Sequence, residues 1–411
     1  MSQTVDAAIN ERRLGSLIDE LAGFGARPDG GVNRQALTQH DFRARRFLVD
    51  LARVYDATVT RDRIGNLSFR RVGSDDSLAP VVTGSHVDTQ PNGGRLDGAY
   101  GVCAGLEVLA ALRDSGSNTR RPVEVVVWTN EEGCRFAPGS MGANTFVNPD
   151  LLDQHLNAAD KDGRTVRDQL DAAEPVFADV PLRSLKVPFH AFVEAHIEQG
   201  PVLAEEGLPI GVVGGIQGTR WFDVEARGVA AHAGTVPRAQ RQDAMRDAAD
   251  AAHSIYQLYD ELDAGDGRLR LTIGRVDLSP NSVNVIPERV RMTVDVRHPD
   301  DLVLDKVEAG LHALKSRTVS VKRSMAMTPV RFPGHIVDAV RAAAAAVGAK
   351  HTEIDSGAFH DSLYLARHCD TGMIFVPSIG GISHNPAERT ALADLTTGVR
   401  VLAETITTLA T

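Results

Sequence analysis

Cysteine is scarce in this 411-residue chain. Cys103, Cys134 and Cys369 are the whole complement, an odd number without a CxxC pair. They read as reduced thiols of a cytoplasmic protein rather than as a disulfide framework. Surplus positive charge is absent too: 44 Lys and Arg face 54 Asp and Glu, a net charge of −10. Binding a phosphate backbone needs basic surface, so nucleic acid is not an expected partner, although a local cationic pocket is not excluded. No apolar run approaches the roughly 20 residues of a membrane span, so no membrane partner is expected. The stretch Met1 to Asp6 has neither a basic n-region nor an apolar h-region, and no signal peptide is expected. What remains, 43% hydrophobic and 24% charged, is ordinary globular composition. The length argues against one hydrophobic core, and two domains are the expectation.

The first half alternates strand and helix. A strand-like run, Pro80 to Thr83, leads into Gly84-Ser85-His86-Val87-Asp88-Thr89 and then Leu96-Asp97-Gly98. Apolar residues at Val102, Leu106, Leu109 and Leu112 follow a helical period over 99–113. A second strand, Pro122 to Trp128, delivers the carboxylate pair Glu131-Glu132. Strand, helix, strand makes a βαβ unit and a parallel sheet. After Gly211 the pattern becomes strand (221–226), helix (243–262), strand (269–276), strand (289–296), helix (302–315) and strand (319–324). That βαββαβ order is ferredoxin-like. The expected fold is α/β: a catalytic domain with a mainly parallel mixed sheet (1–212 and 330–411), interrupted by a smaller ferredoxin-like α+β domain (213–329). The polar segment 160–179 reads as a surface helix and loop.

His86, Asp97, Glu132, His196 and His384 each lie at or just past a strand or in a Gly-rich loop. The carboxyl edge of an open α/β sheet is where ligands bind. Any one of the 14 histidines alone would be a surface or core residue; the five together point to a metal site. Three imidazoles and two carboxylates can hold a pair of divalent ions, Zn²⁺ first, with Mn²⁺, Co²⁺ and Ni²⁺ as alternatives. Asp88 has the spacing to reach back to the His86 imidazole and fix its tautomer. Cys134, beside the Glu pair, reads as small buried filler, with metal ligation as the alternative. Arg297 ends a strand of the insert, where its fork can bind a carboxylate or pair with Asp295 or Asp301.

Over nearly its whole length the chain resembles the metal-dependent hydrolases that include aminoacylases and carboxypeptidase G. It is most similar to their hydantoinase/carbamoylase branch: N-carbamoyl-L-amino-acid hydrolases, allantoate amidohydrolases and β-ureidopropionases. The resemblance is carried by Arg34-Gln35-Ala36-Leu37-Thr38, the His86 and Glu131 motifs, His196-Ile197-Glu198-Gln199-Gly200-Pro201 and His232-Ala233-Gly234-Thr235. It continues through Asn284-Val285-Ile286-Pro287, Asp295-Val296-Arg297 and Gly381-Ile382-Ser383-His384. Two positions depart from the usual pattern: Phe359 stands where glycine is common in Ser356-Gly357-Ala358-Phe359-His360-Asp361, and Arg238 where methionine is common.

The resemblance implies a dinuclear site, with His86 and His196 on one ion, Glu132 and His384 on the other, and Asp97 bridging. Glu131 would be the general base. Gln199, His232, Asn284 and Arg297 would contact the substrate, with Gln217 a weaker pocket candidate. His232 would reach the site of a partner subunit and help polarise the carbonyl oxygen there, because the smaller domain is expected to act as a lid and to form a homodimer. Its short connections, 211–218 and 327–333, would be hinges, with Gly211, Gly214, Gly215 and Gly218 supplying backbone freedom. The implied reaction is hydrolysis of an N-carbamoyl-L-amino acid, with allantoate or β-ureidopropionate as alternative substrates. An N-acyl-amino-acid deacylase or peptidase is the rival enzyme. The complete ligand set and Glu131 argue against an inactive binding protein.

Overall fold

The computed structural model describes residues 4–265 and 267–411. Residues 1–3, part of the stretch read for a signal peptide, lie outside them. The chain forms two compact units, one comprising the residues up to Gly214 with Phe332–Thr411, the other Gly215–Arg331. The strands in chain order are β1 (Thr58–Arg61), β2 (Leu67–Arg71), β3 (Val81–His86), β4 (Val123–Trp128) and β5 (Ala191–Ile197). Then come β6 (Ile210–Ile216), β7 (Gly218–Arg227), β8 (Ala231–His232), β9 (Arg270–Ser279) and β10 (Val285–Ile286). The last five are β11 (Arg289–His298), β12 (Val319–Met327), β13 (Val330–Arg331), β14 (His351–Ser356) and β15 (Asp370–Val376).

The larger unit is a mixed α/β fold. Its sheet runs β1-β2-β4-β3-β5-β15-β6, with β14 paired to β6. The central four strands, β4, β3, β5 and β15, are mutually parallel, and β1, β2 and β6 add antiparallel flanks. Strands in such a centre are covered on both faces and read as continuous apolar runs, and all of β3, β4 and β5 is buried. On one face Trp128, Phe146, Phe189 and Phe192 pack together. The helix Ala99–Asp114 is buried from Ala99 to Leu112, not only along the stripe its period suggests. It is covered by the helices Glu11–Gly23 and Leu392–Leu409, and its buried Glu107 is neutralised by Arg13 at 2.6 Å. The segment 160–179 carries the short helix Val166–Ala173 and is mostly exposed. Among the described residues, no helix is long and apolar enough to cross a membrane.

The smaller unit is a four-stranded antiparallel sheet in the order β12-β7-β11-β9. The helices Ala244–Asp263 and Asp301–Ala313 supply the two α elements of the βαββαβ order. Phe222, Val224, Val290, Val294 and Val296 point from the sheet into a core with Ile255, Leu304 and Leu311. A short antiparallel pair, β8 with β10, was not foreseen; it sets His232 opposite Val285.

The glycines of the expected hinges lie in or at strands. Gly211, Gly214 and Gly215 lie within β6, Gly218 opens β7, and none has a positive φ. A Cβ on Gly215 would fall 2.3 Å from the Val330 carbonyl oxygen, and one on Gly218 2.6 Å from Pro329. Close strand packing, not a flexible turn, requires glycine there.

Candidate metal centre

Four adjacent parallel strands bring the site together. His86 ends β3, His196 lies near the end of β5, Glu131 and Glu132 follow β4, and the His384 loop follows β15. Parallel neighbours share one carboxyl edge, so these side chains converge there although they lie far apart in sequence. Asp97 enters from the loop that starts the Ala99–Asp114 helix. Gly98 has a φ of 63°, and a Cβ there would lie 2.3 Å from His86 Nε2; only glycine fits against the imidazole.

Asp97 sits at the middle of the group, 5% exposed. Its Oδ1 is 3.3 Å from His196 Nε2 and 3.9 Å from His86 Nε2. Its Oδ2 is 3.1 Å from His384 Nε2, which is in turn 3.4 Å from Glu132 Oε2. Two metal-capable sets result, His86-Asp97-His196 and Asp97-Glu132-His384. The tautomers suit this use. His86 Nδ1 is 2.9 Å from the Asp88 carbonyl and His196 Nδ1 is 2.9 Å from the Ile197 carbonyl. A carbonyl can only accept, so Nδ1 carries a hydrogen, and Nε2 is the nitrogen left to offer its lone pair inward once the ring is neutral.

The charge balance calls for a cation. Asp88, Asp97, Glu131 and Glu132 crowd together, and among the described residues their ion-pair partners are histidines alone. Burial, reinforced by the Asp97 charge, pushes Glu132 up to about 7. Burial and then the charges of Asp361, Glu132, Asp88 and Asp97 hold Glu131 well above the usual carboxylate range. For Asp97 burial acts upward, but hydrogen bonds from His196 and His384 outweigh it and leave the group well below its usual range. His196 reaches about 9 because its bond to Asp97 outweighs burial, and His384 about 9 chiefly through its own bond to Asp97. Protons occupy positions that suit divalent ions, and a mixed N/O donor set of this kind fits them.

Glu131 lies beside this group, its Oε2 3.6 Å from His86 Nε2 and its Oε1 accepting from Ser140 Oγ at 3.3 Å. The expected role of Asp88 needs correction. Its backbone carbonyl, not its carboxylate, meets the His86 ring; the carboxylate is 3.8 Å away and instead accepts from the amides of Glu131 and Glu132, both at 3.2 Å. Two residues of chain bring the carbonyl to the ring more directly than the longer side-chain path. Cys134 is corrected as well: it is exposed, with Sγ 3.5 Å from the Thr89 carbonyl, and it joins neither set.

Gln199, at a positive φ of 58°, donates to Asp97 Oδ2 at 3.2 Å. Gln217, His232, Asn284 and Arg297 belong to the smaller unit. There the β8–β10 pair brings His232 and Asn284 together, with the Ala233 amide donating to the Asn284 carbonyl at 2.9 Å. Arg297 pairs with Asp295 at 2.9 Å. Gln217 Oε1 is buried without a partner.

Sequence reasoning missed four buried groups around these side chains. Glu194 accepts from Ser85 Oγ and Ser362 Oγ. The His360 ring packs edge-on against His196 at 4.5 Å. Asp361 is fully buried with neither oxygen partnered, and Glu388 accepts from the Asp97 amide. A signal existed for Glu194, two residues before His196 on β5 and hence on the same face. Glu194, His196 and His360 form a third metal-capable group, but the serines already occupy both oxygens of Glu194.

The model for peptidase family M20/M25/M40 matches residues 82–408. An N-carbamoyl-L-amino-acid amidohydrolase of Rhizobium meliloti is 35% identical over 387 residues, 92% of each chain. A ureidoglycolate hydrolase of Arabidopsis thaliana is 33% identical, covering 96% of this chain and 85% of its own. The crystal structure of a hydantoinase/carbamoylase family amidase from Burkholderia multivorans superposes with a TM-score of 0.90 at 41% identity over 98% of both chains.

Proposed function

Because the chain belongs to peptidase family M20/M25/M40, we propose that it is a metal-dependent amidohydrolase cleaving the ureido C–N bond of an N-carbamoyl-L-amino acid. One water is consumed, and the free amino acid, CO₂ and ammonia are released. The observation that carries this reading is Asp97, whose two oxygens face two different ligand sets. His86 and His196 would hold one ion, Glu132 and His384 a second, and Asp97 both. Zn²⁺ is the first choice, with Mn²⁺, Co²⁺ and Ni²⁺ acceptable to the same donors. Such ions polarise the scissile carbonyl and ease deprotonation of a water. Glu131 takes that water's proton and passes it to the departing nitrogen. Ser140 steadies the Glu131 carboxylate. Asp88 holds the amides of both glutamates, so that one carboxylate faces the ligand set and its neighbour faces the water.

Gln199, Gln217, His232, Asn284 and Arg297 are assigned to the substrate. The Arg297 fork suits an amino-acid carboxylate, which must compete with Asp295 for it. This assignment makes the smaller unit a lid and, through His232 acting on a partner subunit's site, a dimerisation domain. Its strand β9 has one sheet neighbour, β11, and an open edge invites pairing across a two-fold. The free cysteines support a cytoplasmic location.

The test is ammonia release by chelated protein reloaded separately with each of the four ions. The panel holds N-carbamoyl-L-amino acids, N-carbamoyl-β-alanine, allantoate, ureidoglycolate and N-acetyl amino acids. N-carbamoyl-L-amino acids should give the highest kcat/KM. Release of carboxylic acids from N-acyl substrates alone would make the protein a deacylase. Metal uptake without any turnover would make it a binding protein. The relative named ureidoglycolate hydrolase makes ureidoglycolate the second reading.

A further inference from the structure

His384 is the most exposed of the five candidate ligands. The His384 side chain is 51% exposed and its φ is 54°, whereas His86 and His196 stand on buried strand ends. Four residues on, Glu388 is only 3% exposed. Its Oε1 accepts from the amides of Leu96 at 2.9 Å and Asp97 at 3.1 Å. Its Oε2 accepts from Ser383 Oγ at 3.0 Å, and that oxygen lies 3.4 Å from Asp97 Oδ2 and receives the Gln199 amide at 3.1 Å. Room for the carboxylate comes from Gly94, where a Cβ would fall 2.1 Å from Glu388 Oε1. One buried side chain therefore ties the backbone of Asp97 to the residue preceding His384.

We infer that Glu388 is a positioning residue for the Asp97-Glu132-His384 metal position, setting the spacing between Asp97 Oδ2 and the His384 loop. The inference rests on the two-ion reading above. The other position depends on it less, because His86 and His196 are braced by their own strands and by the carbonyls at Nδ1. Partners of this outer layer typically govern metal affinity by about 10–100-fold.

Chelated protein is titrated with Zn²⁺ against a chromophoric chelator, for the parent chain and for Glu388→Ala, Glu388→Gln and Ser383→Ala, with folding checked by circular dichroism. The parent should take up two ions in two steps. Glu388→Ala and Ser383→Ala should weaken one of the two steps by about 10–100-fold and leave the other in place. Glu388→Gln should stay close to the parent. Its oxygen still accepts both amides, and its NH₂ donates to Ser383, whose hydrogen turns to Asp97. Two unchanged steps in the folded alanine variants overturn the inference. If Glu388→Ala does not fold, Ser383→Ala decides alone. Equal weakening of both steps, or Glu388→Gln as weak as Glu388→Ala, also overturns it. A parent chain that binds fewer than two ions overturns the two-ion reading itself and this inference with it.

Discussion

Removing the metal should leave a protein that loses stability as pH rises from 7 to 9. In the metal-free fold His196 and His384 titrate near 9 because Asp97 holds their protons, against about 6.5 for an unfolded histidine. A base whose folded pKa is raised contributes stability that is full below the unfolded value and disappears as pH climbs through the folded one. The acids Glu132, near 7, and Glu131, well above its usual range, act in the same direction, since the native state keeps a proton that the unfolded chain has lost. His155, His190, His360 and His368 are shifted down by burial; they oppose this trend only below about 6.5 and are neutral in both states above it. At 1.36 kcal/mol per unit, His196 alone is worth about 2–3 kcal/mol between pH 7 and 9, and half-exposed His384 adds a screened fraction. At the unfolding entropy of a chain this long, that is a fall of roughly 2–5 °C in Tm. Zn²⁺-loaded protein, whose ligands are already deprotonated, should be nearly flat over the same range. Thermal unfolding followed by circular dichroism at pH 7, 8 and 9, with and without chelator, makes the comparison. A chelated protein whose Tm is constant or rises would refute the argument. So would an undiminished slope in Asp97→Asn, which removes the negative charge that holds both imidazole protons.

Further outcomes are expected. Glu131→Gln should keep its metal and lose about 10²-fold or more in kcat, the range for a positioned general base; substantial retained turnover would remove Glu131 from that role. Arg297→Lys keeps the charge but loses the fork, and kcat/KM for a carboxylate-bearing substrate should drop about tenfold. An unchanged value ends the clamp idea. Gly98→Ala places a methyl 2.3 Å from His86 Nε2, so metal analysis of the purified variant should show depleted metal. Full occupancy would contradict the placement of that imidazole. Mixing inactive His232→Ala and Glu131→Gln chains should regain activity, because one site of the heterodimer has both residues intact. No recovery despite confirmed subunit exchange would mean that His232 does not act across subunits.

Local pattern carried much of the architecture. The apolar runs of β3 and β4 and the helix between them announced a parallel unit, because strands covered on both faces need continuous hydrophobic sequence. The alternation in β7 and β11 and the helices between the strands announced the second sheet. The candidate ligands stood out because each sits at a strand end or in a glycine-rich loop. Other features depend on partners distant in the chain. β8 and β10 are two residues each and exist only through pairing across an intervening helix and strand. The helix Ala99–Asp114 shows an apolar period, yet its full burial follows from two helices recruited from opposite ends of the chain.

The sequence by itself determined which residue types could bind metal and two of the four strands that position them, because strand periodicity and loop chemistry are local properties. Only the tertiary structure decided how those donors divide. It placed one oxygen of Asp97 toward His86 and His196 and the other toward His384 and Glu132. It gave His86 a backbone carbonyl and turned the Asp88 carboxylate to the Glu131-Glu132 amides. It also put Glu388 behind Asp97, 291 residues away in sequence. Those outcomes turn on distances of a few ångströms between segments that meet only when the sheet assembles, and hydrogen bonding at that range has no periodic trace in the chain.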